Sequence, residues 1–107
     1  MVNIEFSPTA LRKLFDIREY IATELNSPVA AQKTVTKIMN AIERLELFPE
    51  SAPLLCALYD NTPPKHSQSR FLVCGHYIVI YYYDLQNVRV LQVYHGKEDY
   101  IRHLFQT

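Results

Sequence analysis

A chain of 107 residues, 49% apolar and 21% charged, can build one hydrophobic core and is too short for two, which reads as a single domain over residues 1–107. Eleven Lys and Arg balance eleven Asp and Glu, so the basic excess that phosphate neutralisation demands is missing and any nucleic-acid role has to rest on a local patch. No apolar run reaches the roughly 20 residues of a bilayer span, and the start, MVNIEFSP, lacks a basic stretch followed by an apolar one, so a cytoplasmic location is the expectation.

In chain order, Val2, Ile4 and Phe6 alternate with Asn3 and Glu5, the period of a strand with one buried face. Ser7-Pro8 then combines a preferred N-cap with a residue preorganised for the first helical position. Leu11, Leu14, Phe15, Ile17, Ile21 and Leu25 follow mostly in steps of three and four, which predicts a helix from Pro8 to Leu25. Ser27-Pro28 repeats the device. Ala31, Val35, Ile38, Ile42 and Leu45 then predict a second helix of similar length, stopped at Phe48 by Pro49. So short a joint between two amphipathic helices folds them back as an antiparallel hairpin.

From Glu50 to Ser69 the period is lost among Pro53, Pro63 and Pro64, which reads as a crossing loop with a short strand near Leu54 to Tyr59. Connections of this length in small domains are often functional. The stretch RFLVCGHYIVIYYYDLQNVRVLQVYH, Arg70 to His95, alternates β-branched and aromatic runs with polar breaks at Gly75-His76 and Asp84 to Asn87, the pattern of a three-stranded antiparallel meander. Strand geometry puts Tyr81 and Tyr83 on one side and Tyr82 on the other. After Gly96, Tyr100, Ile101, Leu104 and Phe105 suit one or two helical turns packed back on the body.

The resulting class is α+β, with the first strand at the edge of a sheet completed by the meander, the hairpin on one face, and a short C-terminal helical segment. The opposite face is expected to be the more solvated one and to bring Arg70, Arg89, some tyrosines and His95 together. The basic to acidic count is six to seven before residue 51 and five to four after it. All four histidines lie in the second half, which turns positive only if some are protonated. Cys56 and Cys74 have no metal-like spacing and read as free buried thiols; no cofactor or metal is implied.

The ordered set of phrases resembles the RelE/ParE superfamily over nearly the whole chain. It comprises the helix hairpin ending in L-x-x-x-P (Leu45 to Pro49), RFLV at Arg70 to Val73, YIVIY at Tyr77 to Tyr81, and V-x-V-x-x-V-x-H at Val88 to His95 with Asp99 after it. The resemblance implies a toxin of a type II toxin–antitoxin operon, neutralised by a cognate antitoxin whose extended or helical tail wraps it and through which alone it meets operator DNA.

Two activities occur in that superfamily: ribosome-dependent mRNA cleavage in RelE-like and YoeB-like members, and poisoning of DNA gyrase in ParE-like members. Metal-free RNA cleavage needs a base, cations for the phosphate and an acid. Here Arg70 would stabilise charge, His95 would serve as acid or base, and Tyr94 or Tyr100 would stack on a base. Glu50 is a carboxylate just past the end of the second helix, where YoeB-like relatives carry their general base. Tyr77 stands where those relatives have an arginine. Lys65, Lys97, Arg70 and Arg89 are also a thin substitute for the RelE-like set of cations.

His76-Tyr77, the V-L-x-V-x-H phrase at Val90 to His95 and the continuation EDYIRHL look closer to the ParE branch. On that reading His95 and Asp99 fix a turn and the partner is DNA gyrase. The alternatives are an mRNA endonuclease using Arg70 and His95 with the ribosome and mRNA as partners, and an inactive member that acts only as antitoxin-binding co-repressor. The bland readings are an Arg70 paired to a carboxylate and a His95 satisfied by hydrogen bonds.

Overall fold

The computed structural model describes residues 2–106. The order is β1 (Asn3–Phe6), α1 (Pro8–Thr23), α2 (Pro28–Glu43), α3 (Leu55–Leu58), β2 (Ser69–Cys74), β3 (Tyr77–Tyr83), β4 (Asn87–His95) and α4 (Tyr100–Gln106), with 3-10 turns at Arg44–Glu46 and Pro64–His66. The strands form one sheet in the order β1-β4-β3-β2, in which β1 is an edge and runs parallel to β4 while the meander is antiparallel.

Both helices start where the Ser-Pro pairs place them. Ser7 Oγ accepts the Ala10 N–H at 3.0 Å and Ser27 Oγ that of Ala30 at 3.3 Å, each relieving an orphan donor of the first turn. The Ser7 hydroxyl also donates to Leu91 O at 2.7 Å, tying the start of α1 to β4. α1 stops at Thr23, short of the expected Leu25, and Asn26 takes a left-handed φ of 51° to reverse the chain. α2 tightens into the 3-10 turn at Arg44, so its end precedes Pro49 by several residues.

The hairpin packs on one sheet face through Leu14, Ile17, Ile21, Ile38, Ile42 and Leu45 against Val79, Tyr81, Val88, Val90 and Val93. Leu11, Phe15 and Leu25, counted in the apolar stripe of the sequence, point outward instead.

The other face departs from expectation. It is not solvated: Ile78, Ile80 and Tyr94 are buried there beneath Leu55 of α3 and Leu104 of α4. The stretch expected as a strand near Leu54 to Tyr59 is a helical turn, closed by the Tyr59 N–H on Leu55 O at 2.9 Å. Only Leu54 keeps strand character, bridging Arg70. A turn suits this sequence because Leu55 alone is buried while Cys56, Ala57 and Leu58 are exposed, a pattern that no strand alternation produces.

The connections of the meander are short: Gly75-His76 joins β2 to β3 with φ of 60° at Gly75, and Asp84-Leu85-Gln86 joins β3 to β4 with φ of 77° at Leu85.

Candidate functional site

The sequence singles out the two ends of the meander, and β3 keeps them apart. Arg70 lies opposite Tyr81, and His95 opposite Tyr77. Those tyrosines are four residues apart on β3, about 13 Å at the rise of a strand. A nucleolytic centre needs its acid, base and cation within hydrogen-bond reach of one phosphate, and these two side chains start on different strands at opposite ends of the face.

Each is also occupied. The Arg70 guanidinium donates from Nη1 to Ala52 O at 2.7 Å and to Glu50 O at 3.3 Å. With the Phe71 N–H on Pro53 O at 2.9 Å and the Tyr81 hydroxyl on Pro49 O at 2.9 Å, it straps the segment after α2 onto the sheet. Among the described residues Arg70 has no carboxylate partner, so the expected ion pair is replaced by carbonyls. Glu50 is exposed and meets Arg70 only through its backbone oxygen.

His95 accepts the Lys97 N–H on Nδ1 at 3.0 Å, so its neutral ring carries the proton on Nε2. The ring stacks on His76 at 6.3 Å between centroids and meets the Tyr77 edge at 5.1 Å. Its backbone N–H donates to Glu98 Oε1 at 2.9 Å, and the same oxygen accepts from Lys13 Nζ of α1 at 2.7 Å. Burial alone would push the Glu98 carboxyl up, but these two donors and their charge hold it below its usual range. Glu98, rather than the expected Asp99, fixes the turn out of β4. Asp99 instead receives the His103 N–H on its carbonyl at 3.2 Å as α4 begins, and lies 3.7 Å from Arg102. A hollow of about 560 Å³ beside His95 is walled by Tyr20, Ile21, Tyr77 and Glu98 and does not reach Arg70.

Tyr94 and Tyr100 belong to the second face. Tyr94 is buried with its hydroxyl 2.8 Å from His103 Nδ1, and burial together with the nearby Glu98 charge pushes its phenol up to about 12. Tyr100 packs on Tyr94 and Phe71 with centroids 6.0 and 5.8 Å away, leaving no ring free as a stacking platform from this pair. Arg89 points across β1 to Glu5 at 2.9 Å. The expected meeting of Arg70, Arg89 and His95 on one open face does not occur. Cys74 is buried and its thiol pushed up by desolvation, whereas Cys56 is exposed, contrary to expectation. Among the described residues no group of three or more His, Cys, Asp or Glu side chains is placed to hold a metal ion.

His66 escaped the sequence reading. It is buried, accepts the Ser69 hydroxyl on Nδ1 at 3.0 Å, and donates from Nε2 to Leu104 O at 3.2 Å, joining the crossing loop to α4. A histidine between two prolines and a strand carries no local mark of that partnership, because Leu104 lies 38 residues away.

The fold and its polar residues define a small α+β protein whose chemically suggestive side chains hold the sheet, loop and terminal helix together. A family model described as the ParE toxin of type II toxin-antitoxin system, parDE, matches residues 4–100, and the chain belongs to that family. Among solved structures, one titled "Chromosomal ParDE TA system from P. aeruginosa" is similar with a TM-score of 0.66 at 15% identity, over 91% of this chain and 98% of that one, a likeness in fold. No curated protein matches the chain.

Proposed function

We propose that the chain is a single toxin domain that inhibits DNA gyrase by surface contact in the cytoplasm, and that an antitoxin encoded beside it neutralises it and carries it to operator DNA. The observation that carries this reading over mRNA cleavage is the separation and engagement of the two polar candidates. Arg70 is strapped to the Ala52 and Glu50 carbonyls at one end of the sheet, and His95 is held by Lys97, His76 and Tyr77 at the other. A neutral chain with eleven cations and eleven carboxylates also offers little to hold a message.

The test is to add purified toxin to a gyrase supercoiling reaction and, separately, to translating ribosomes. Loss of supercoiling with uncut messages supports the reading. Codon-linked cuts with gyrase unaffected assign the chain to the nuclease branch. Neither effect, with antitoxin binding retained, leaves the co-repressor role.

A further inference from the structure

Helix α1 carries two stripes of the same spacing, and the fold uses one of them. Ala10, Leu14, Ile17 and Ile21 recur in steps of four, three and four and are buried in the core beneath the hairpin. Pro8, Leu11, Phe15, Arg18, Ala22 and Leu25 recur in steps of three and four along another side. Of these only Ala22 is drawn partly into the core, while Leu11 and Phe15 are each 54% exposed. Leu25, just past the helix end, is 58% exposed and stays near the helical path, since its N–H reaches Tyr20 O at 3.3 Å. A seven-residue apolar repeat of this kind is the seam that one helix offers to another. Its centre is held open: the Arg18 guanidinium lies 5.2 Å from the Phe15 ring and leaves half of Phe15 in solvent.

The charges beside the seam say what the second helix is. Arg12 and Glu19 hold the same flanking position in successive repeats, one residue after Leu11 and one after Arg18. Both are exposed. Among the described residues Arg12 has no ion-pair partner, and the Glu19 carboxylate has only Arg18 at 3.9 Å. Two copies of α1 can be laid antiparallel with Phe15 against Arg18 of the second copy, which brings Leu11 against Ala22 and Pro8 against Leu25. The same register sets Arg12 opposite Glu19 of the second copy, and two-fold symmetry makes that pair twice. Phe15 then meets a guanidinium, a contact its ring already accepts within the chain. Parallel pairing would instead set Arg18 against its own copy and leave Arg12 without a counter-charge.

We propose that the outer stripe of α1 is a self-association surface, on which a second copy of this chain packs its own α1 antiparallel. One helix on one helix falls short of the about 800 Å² per partner of a standard complex, so the dimer is a weak and concentration-dependent one. The inference goes beyond the toxin reading and does not depend on which target the toxin has.

The experiment is sedimentation equilibrium of the purified full chain, over about 5 to 500 µM as a weak interface requires. Wild type is compared with Phe15→Ser, Arg12→Glu, Glu19→Arg, the double variant Arg12→Glu/Glu19→Arg, and Leu58→Ser on α3 as a control. Thermal melting checks that each is folded. Wild type should dimerise within this range. Phe15→Ser should raise the dissociation constant at least about tenfold, the order expected for losing a central apolar anchor. Each single charge change puts like charges opposite each other twice and should weaken the dimer about fivefold, whereas the double variant should return to within about twofold of wild type. In about 0.5 M salt the charge effects should fade while that of Phe15→Ser persists. Leu58→Ser should match wild type.

A wild type that stays monomeric throughout overturns the proposal and leaves the stripe to a different partner. A dimer that Phe15→Ser leaves intact, or that Leu58→Ser weakens as much, overturns it too. Single charge variants without effect, or a double variant no tighter than the singles, overturn the antiparallel register and the proposal with it. None of these outcomes bears on the gyrase test, which fails or succeeds by itself.

Discussion

The two faces of the sheet are sealed by different means. The hairpin face is closed by two 16-residue helices that bring continuous apolar stripes onto Val79, Tyr81, Val88 and Val90. The second face is closed by pieces, a four-residue turn and a seven-residue helix, pinned by His66 to Leu104 O and Ser69 and by Tyr94 to His103. Continuous stripes bury enough apolar area to hold by themselves, at about 25 cal/mol per Å². Short pieces do not, because helices shorter than about 12 residues are marginal without their contacts. The hairpin face is therefore the stable foundation, and the second face is the part that opens first.

The sharpest contrast comes from one truncation on each side. Ile42→Ala, at a fully buried site under the hairpin, should cost roughly 2–5 kcal/mol and lower the global unfolding midpoint for every probe. Leu104→Ala, at 1% exposure under α4, removes the same kind of contact, but its loss should emerge mainly as faster amide exchange in α4 and the 59–69 segment. Equal global destabilisation by both, with no local exchange, would break the contrast.

A smaller effect separates the faces by pH. Burial is the main cause holding the His66 imidazole below its ordinary range, with the Leu104 carbonyl acting the other way and Lys65 adding to the depression. The unfolded chain thus takes up a proton more readily than the folded one. Stability should be full above the ordinary histidine pKa of about 6.5 and fall as the pH drops from there through the depressed folded value. Exchange in α4 should rise over that window, and His66→Gln should remove the pH dependence specific to α4. An unchanged α4 would separate His66 from its docking.

The least effect is expected at the turn out of β4. The Lys13–Glu98 pair is partly exposed, at 31% and 40%, and solvent screening limits it to about 1 kcal/mol or less. Lys13→Met should shift the thermal midpoint by only a few degrees, and a larger shift would mean that Glu98 organises more than this turn.

This asymmetry explains what was legible in the sequence. Serine caps, prolines at the first helical position and 3.6-residue stripes are local, so both helices and the hairpin follow from residues a few places apart, as does the meander from its period of two. The second face is built from contacts far apart in sequence, Leu55 with Ile80 and His66 with Leu104, and no window of neighbours contains them. The same limit applied to the site. Arg70 and His95 bracket the meander in sequence, and only the pairing of both neighbours with β3 reveals that the antiparallel arrangement separates them. Glu98 was hidden by its neighbour Asp99, since the choice between them depends on where Lys13 of α1 arrives.

On the proposed function, Arg70 and His95 hold the fold while the toxin works by contact. The most direct measurement is growth arrest by the double variant Arg70→Lys/His95→Asn, with folding checked by thermal melting. Lysine keeps a donor for the Ala52 carbonyl, and asparagine keeps an acceptor for the Lys97 N–H. The expected outcome is a folded protein that arrests growth as wild type does and still inhibits supercoiling. A folded double variant that no longer arrests growth would contradict it and return the two residues to the chemistry of RNA cleavage.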